Sequence, residues 1–104
     1  MSTVVLLGTL DTKGREYKFV IDCLHDAGVE SIMIDFGVLS DPEFKADISA
    51  QEVARLGGAI LDDLRFSRED SGTRSIALAT MTKGLIEILK QLRHENRCDG
   101  VFGL

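Results

Sequence analysis

The residues best equipped for chemistry lie together near the start of the chain, in the stretch Gly8-Thr9-Leu10-Asp11-Thr12-Lys13-Gly14. They offer two hydroxyls, a carboxylate and an ammonium, directly after the apolar run Val4-Val5-Leu6-Leu7. A run with no polar face suits a strand buried on both sides, as in a parallel sheet. A helical pattern begins near Arg15, so the local order is strand, loop, helix. Ligands of open α/β folds bind outside the carboxyl ends of strands. A helix starting there presents free N–H groups and the positive end of its dipole to an anion. The spacing is not a Rossmann fingerprint, because Leu10 stands where the second glycine belongs. It is not a P-loop either, since Gly14 follows Lys13 instead of preceding it. On the residues alone, the stretch fits an anion site. It also fits a plain turn at Gly8 with Asp11 or Thr12 capping the helix.

A second carboxylate, Asp35, ends the next apolar run, Ile32-Met33-Ile34. In dinucleotide folds a carboxylate at this place contacts a ribose, and its distance from Gly8 suits that role. It equally fits a strand end turned to solvent or a cap on the next turn. Asp62-Asp63 and Glu69-Asp70 are adjacent pairs, which do not face each other on a helix, so they read as surface charge. Cys23 and Cys98 have no CxxC partner and His25 and His94 form no ligand cluster, so the thiols are expected to be reduced and buried in a cytoplasmic protein. No nucleophile stands with a base and an orienting partner, so the chain by itself is not expected to catalyse a reaction.

Three stretches carry a family resemblance: Gly8 to Gly14, Ile34 to Leu39, and Cys98 to Leu104. At this spacing they resemble the ATP-binding domain family of the tomato mosaic virus resistance protein, in a bacterial-type form. The resemblance covers essentially the whole chain, and residues 8 to 14 are its most specific part. It implies ATP or another nucleotide as ligand, with phosphates at the loop. Gly8 would let backbone approach a phosphate, Thr9 and Thr12 would donate hydroxyls, Lys13 would neutralise charge and Asp11 would hold Mg²⁺. It also implies that residues 1–104 are the N-terminal part of a Rossmann-like nucleotide-binding domain, cut before a second glycine-rich loop. Two further roles follow from the same family. One is an interaction module that occupies a partner, as the plant relative's domain does with a viral replication protein. The other is a non-catalytic domain of a larger hydrolase-like enzyme.

The elements that must position these residues follow from periodicity. The first strand spans residues 3–9. Its helix runs from about Thr12 to Ala27, with Phe19, Val20, Cys23, Leu24 and Ala27 on one face, widened by Tyr17 and Ile21, and Gly28 is placed for a left-handed stop. A second strand spans Ser31 to Asp35, and a loop follows around Pro42. Ser49 and Glu52 form a capping box for a short helix ending at Gly57-Gly58. Residues 59–70 are ambiguous, with Phe66 among the apolar positions. A long helix, Thr73 to Glu95, carries the stripe Ala77, Met81, Gly84, Leu85, Ile88 and Leu92; Gly84 inside it suggests close approach of another backbone. Gly100 to Leu104 is the third strand. Strands alternating with helices imply an α/β, Rossmann-like three-layer fold with a partial parallel sheet of order 2-1-3.

A net charge of -5, with no basic stripe, argues against nucleic acid. Met1-Ser2-Thr3 carries no basic stretch, so no signal peptide is expected, and with no apolar run of about 18 residues no membrane span is expected. Open sheet edges and the long helix make a homo-oligomer the expected assembly.

Overall fold

The structure, a computed structural model, describes residues 2–65 and 71–104, and the side chains of Ser71 and Thr73 are not among the parts described. Phe66, Glu69 and Asp70 lie outside the described residues. The elements are β1 (Thr3–Gly8), α1 (Leu10–Asp26), β2 (Glu30–Asp35), α2 (Ala50–Leu56), α3 (Leu61–Leu64), α4 (Ser71–His94) and β3 (Gly100–Gly103). The three strands form one parallel sheet in the order β2-β1-β3. Among the described residues no helix is long and apolar enough to cross a membrane.

β1 is the centre of the sheet, and its lack of a polar face is explained by cover on both sides. Val5 pairs with Ile32 and Val101, and Leu6 pairs with Met33 and Phe102. Val5, Ile32 and Ile34 pack under α2, α3 and α4, whereas Leu6 and Met33 pack under α1. Val5 and Leu6 are both fully buried. The helices therefore form an outer layer on each face, giving the three-layer arrangement.

The α2–α4 layer follows the sequence pattern closely. Ala77, Met81, Ile88 and Leu92 are buried along α4, with Leu85 and Leu89 packed beside them. α2 starts where Ser49 Oγ accepts the Glu52 N–H at 3.3 Å, satisfying one orphan donor of the first turn. The Glu52 side chain turns to Arg55 instead of reaching back, so only half of the capping box forms. Gly84 is where the two helices touch: a Cβ there would lie 2.0 Å from the Val53 carbonyl oxygen. Gly57 makes the reciprocal approach, with a Cβ position 2.1 Å from the Thr80 carbonyl oxygen.

The α1 layer is centred on the margin of the expected face, where Tyr17 and Ile21 stand, and not on Phe19 and Cys23. Leu10, Gly14 and Tyr17 are its buried positions, with Val20, Ile21 and Leu24 packed beside them. Phe19 is 69% exposed, Cys23 is exposed and Cys98 is half-buried, so neither thiol is a core residue. The helix is rotated because Tyr17 takes the central place. Its hydroxyl donates to the Leu7 carbonyl and accepts the Leu104 N–H at 3.0 Å, which ties α1 to two strands. Tyr17 also explains Gly8. A Cβ at Gly8 would meet the Tyr17 ring at 2.2 Å, and Gly8 is not among the positive-φ glycines, which are Gly28 and Gly58.

The two sheet edges differ. Ile48 forms a bridge beside Ile34, donating its N–H to the Met33 carbonyl and accepting from Asp35, both at 3.0 Å. Asp47 Oδ2 accepts the Met33 N–H at 2.7 Å. The β2 edge is thus covered there by the loop before α2, contrary to the expectation of two open edges. Among the described residues no strand pairs with the outer edge of β3.

Candidate functional site

A crevice of about 260 Å³ opens at the carboxyl ends of β1 and β2. Thr9, Asp11 and Thr12 form one wall, Phe36, Val38 and Leu39 a second, and Arg74, Ala77, Leu78 and Met81 of α4 the third. Right-handed crossovers bring these walls together, because each helix returns antiparallel to the strands and begins at their carboxyl ends. Apolar side chains dominate the lining. The few polar groups are Thr9, Asp11 and Thr12 on one wall and Arg74 on another, the usual composition of a small-molecule site.

The start of α1 is built differently from the expected anion site. Thr9 is the N-cap residue, yet its side chain makes no capping bond. Its hydroxyl lies 2.7 Å from that of Thr12. The Thr12 and Lys13 N–H groups both turn back to the Thr9 carbonyl, at 3.2 and 2.8 Å. Lys13 leaves helical geometry, with φ -124° and ψ 25°, and the regular helix resumes after it. The Lys13 side chain is exposed and does not line the crevice.

The missing cap comes from elsewhere in the chain. Asp35 Oδ1 accepts the Leu10 N–H at 3.1 Å and the Gly37 N–H at 2.9 Å. Asp35 is 3% exposed and does not line the crevice. A carboxylate of the protein therefore occupies the helix N-terminus where a ligand phosphate was expected. Burial raises the Asp35 pKa above its ordinary 3.8; the two N–H bonds, Gly37 first and then Leu10, pull it down, and the nearby Asp11 charge pushes it up. Asp11 acts as a clasp as well. Its Oδ2 accepts the Leu39 and Ser40 N–H groups at 2.9 and 3.3 Å, joining the β1–α1 loop to the loop after β2. Its Oδ1 is buried without a partner among the described residues, and Gly37 packs so closely that a Cβ would lie 2.5 Å from it.

Of the six residues expected at the site, Thr9, Asp11 and Thr12 line the crevice, whereas Gly8, Lys13 and Asp35 do not. Arg74, Phe36, Val38, Leu39 and Met81 line it without having been picked out as site residues. The one signal that could have found Arg74 is its place in the opening turns of the long helix, which a right-handed crossover must put at this end of the sheet.

Fold and site together define a doubly wound α/β domain with a crevice at the carboxyl end of its central strand. The chain belongs to the uncharacterised protein family (UPF0261), whose N-terminal domain matches residues 2–104. A UPF0261 protein of Clostridium tetani is 39% identical over 101 residues, covering 97% of this chain and 24% of that protein. A UPF0261 protein of Brucella suis is 30% identical over 97% of this chain and 23% of its own length. One of Rhizobium meliloti is 34% identical over 86% of this chain and 21% of its own. The chain thus spans about a quarter of the length of the curated relatives it matches. No solved structure matches it significantly. These findings correct the resemblance to the ATP-binding domain family of the tomato mosaic virus resistance protein: the family matched over the whole chain is a different one. The short loop motif that carried the resemblance has its glycine, carboxylate and tyrosine partner explained by packing within this fold.

Proposed function

We propose that the chain binds a nucleotide in the crevice between the β1–α1 loop and α4. The observation that supports this is the crevice itself, an apolar-walled cavity at the carboxyl ends of parallel strands with the paired hydroxyls of Thr9 and Thr12 on its rim. A base or sugar would lie against Phe36, Val38 and Met81, and the polar end would meet the hydroxyls. Mg²⁺ enters only as an ion carried on the phosphates. No group of three or more His, Cys, Asp or Glu gathers to hold a resident ion among the described residues, and Asp11 is the single carboxylate on the wall. The reading is one of binding, not turnover. The exposed Cys23 suits a reducing, cytoplasmic setting.

The cavity is small and open, so the expected affinity is weak, on the order of millimolar or about -4 kcal/mol. Calorimetric titration with adenosine, AMP and ATP tests it. Leu39→Trp, which places a large ring in the crevice from a position 41% exposed, should abolish the heat of binding while leaving the melting curve in place. Absence of any binding heat would remove the nucleotide reading.

A specific surface favours partner binding as a second reading. Leu78, Ala79, Thr82 and Ile86 line a shallow apolar groove on the outer face of α4. Leu78 is 65% and Ile86 47% exposed. A homo-oligomer would form through this face. Sedimentation of Ile86→Glu beside the parent chain tests it, since only an α4-mediated oligomer would dissociate.

A further inference from the structure

Three observations bear on what the crevice can hold. The N-terminus of α1 is already occupied by Asp35, whose Oδ1 takes the Leu10 N–H. The loop lysine, Lys13, is exposed and away from the crevice. Among the described residues that line the crevice, Arg74 is the sole cation, and it sits on α4, on a different wall from Thr9 and Thr12. Among the described residues, an anion entering here meets the Arg74 guanidinium and the mutually bonded hydroxyls of Thr9 and Thr12, while the first N–H of the helix is already taken by Asp35. Arg suits that task because its planar fork of N–H donors can grip two oxygens of one phosphate at once.

The other charge on the wall sets an upper limit on the anion. Asp11 lines the same crevice, and its carboxylate is fixed by the Leu39 and Ser40 N–H groups. One guanidinium against one carboxylate leaves the lining near neutral. A single phosphate, with a charge of roughly -1.5 to -2, is matched by Arg74 and the hydroxyls. A triphosphate would bring further negative groups toward Asp11, with no second cation among the described lining residues to receive them.

We infer that Arg74 is the anion-gripping residue of this site and that the ligand class is a nucleoside monophosphate, not a triphosphate. The inference rests on the nucleotide reading and narrows it. The apolar walls take the base, and the single phosphate bridges from Arg74 to the hydroxyls of Thr9 and Thr12.

The test is calorimetry with adenosine, AMP and ATP, each without and with Mg²⁺, on the parent chain, Arg74→Ala, Arg74→Lys and Lys13→Ala. In the parent, AMP should bind roughly tenfold or more tightly than adenosine, the gain expected of a hydrogen bond to a charged group, and ATP should bind no more tightly than AMP. Arg74→Ala should bring AMP down to the adenosine level and leave adenosine unchanged. Arg74→Lys should restore only part of the gain, because an ammonium lacks the fork, and Lys13→Ala should change nothing. Arg74 is exposed, so its variants should keep the parent melting temperature, which is measured alongside. If adenosine and AMP bind but Arg74→Ala leaves both unchanged, the assignment of Arg74 is overturned and the nucleotide reading stands. If ATP binds markedly more tightly than AMP, with or without Mg²⁺, the ligand class is overturned. If none of the three binds, both the inference and the reading beneath it are overturned.

Discussion

The two layers on either side of the sheet are held by different physics. On one side α2 lies against α4 with backbone nearly touching backbone: Gly84 faces the Val53 carbonyl, and Gly57 faces the Thr80 carbonyl. Shape does the fixing there, and apolar side chains fill the rest. On the other side α1 is held at its start by polar groups reaching across the fold. Asp35 caps Leu10, Asp11 clasps the loop after β2, and Tyr17 ties β1 to the end of β3. A fit made by absent side chains fails when one is added. A fit made by hydrogen bonds fails when one partner is removed. The crevice lies where the two layers meet, with its hydroxyls on the polar side and Arg74 on the shape-fitted side.

The largest effect should come from the glycine seam. Gly84→Val is expected to cost about 3 kcal/mol or more, because its branched side chain must enter a space closed by the Val53 carbonyl and backbone cannot give way as a flexible side chain would. Urea unfolding measures it, and a variant as stable as the parent would mean the two helices are not in backbone contact. Asp35→Ala should come next, at about 2–4 kcal/mol, since it leaves the buried Leu10 and Gly37 N–H groups without an acceptor. Asp35→Asn, which keeps a carbonyl oxygen in place, should retain most of that stability. If the two variants are equally unstable, the cap is not what holds α1. Tyr17→Phe should cost about 1 kcal/mol, the value of a hydroxyl whose loss leaves the ring packing intact. Thermal melts followed in the far ultraviolet would show it.

The smallest effect is the pH dependence of the Asp35 cap. Its pKa in the folded chain is raised above 3.8, so between those two values the folded state holds more proton than the unfolded one. Stability contributed by this group is therefore greatest at low pH and falls as pH rises through the folded value. Asp35→Asn has no such titration. Its stability relative to the parent should shift in its favour as pH rises from about 3 toward 7. A difference that stays flat, or that moves the other way, would show that the two N–H bonds outweigh burial.

How much of this was legible beforehand divides along the same line. The α4 stripe Ala77, Met81, Ile88 and Leu92 is periodic, so the buried face of that helix could be read directly. Gly84 stood out because glycine inside a helix needs a reason, and Ser49 and Gly28 are local signals for a start and a stop. The strand order followed from the alternation of strands and helices. The α1 side was harder because its determinants are not local. The period places Tyr17 only at the margin of the face holding Phe19 and Cys23, whereas the folded helix centres its buried face on Leu10, Gly14 and Tyr17. That choice is made by the Tyr17 hydroxyl finding the Leu7 carbonyl. Asp35 reaches Leu10 across 25 positions, so its use as a cap instead of a ribose ligand depends on the folded loop. Thr9, Asp11 and Thr12 could be placed at the site because the strand-loop-helix order puts them there. Arg74 could not be singled out by type alone in a chain with 12 basic residues.

Tyr17 has a consequence for how the molecule can be watched. The chain contains one tyrosine and no tryptophan, and Tyr17 is 1% exposed. Its near-ultraviolet dichroism and emission therefore come mainly from a single buried ring at the junction of β1, α1 and the end of β3. Far-ultraviolet dichroism, in contrast, sums over the helices of both layers, the 17 residues of α1 and the 24 of α4 foremost. One signal views a single junction and the other the helices as a whole. Heated slowly, a chain that melts as one unit will lose both together. A chain whose polar junction loosens first will lose its tyrosine signal while the helices still stand, so its own optics can time the order in which the junction and the helices let go.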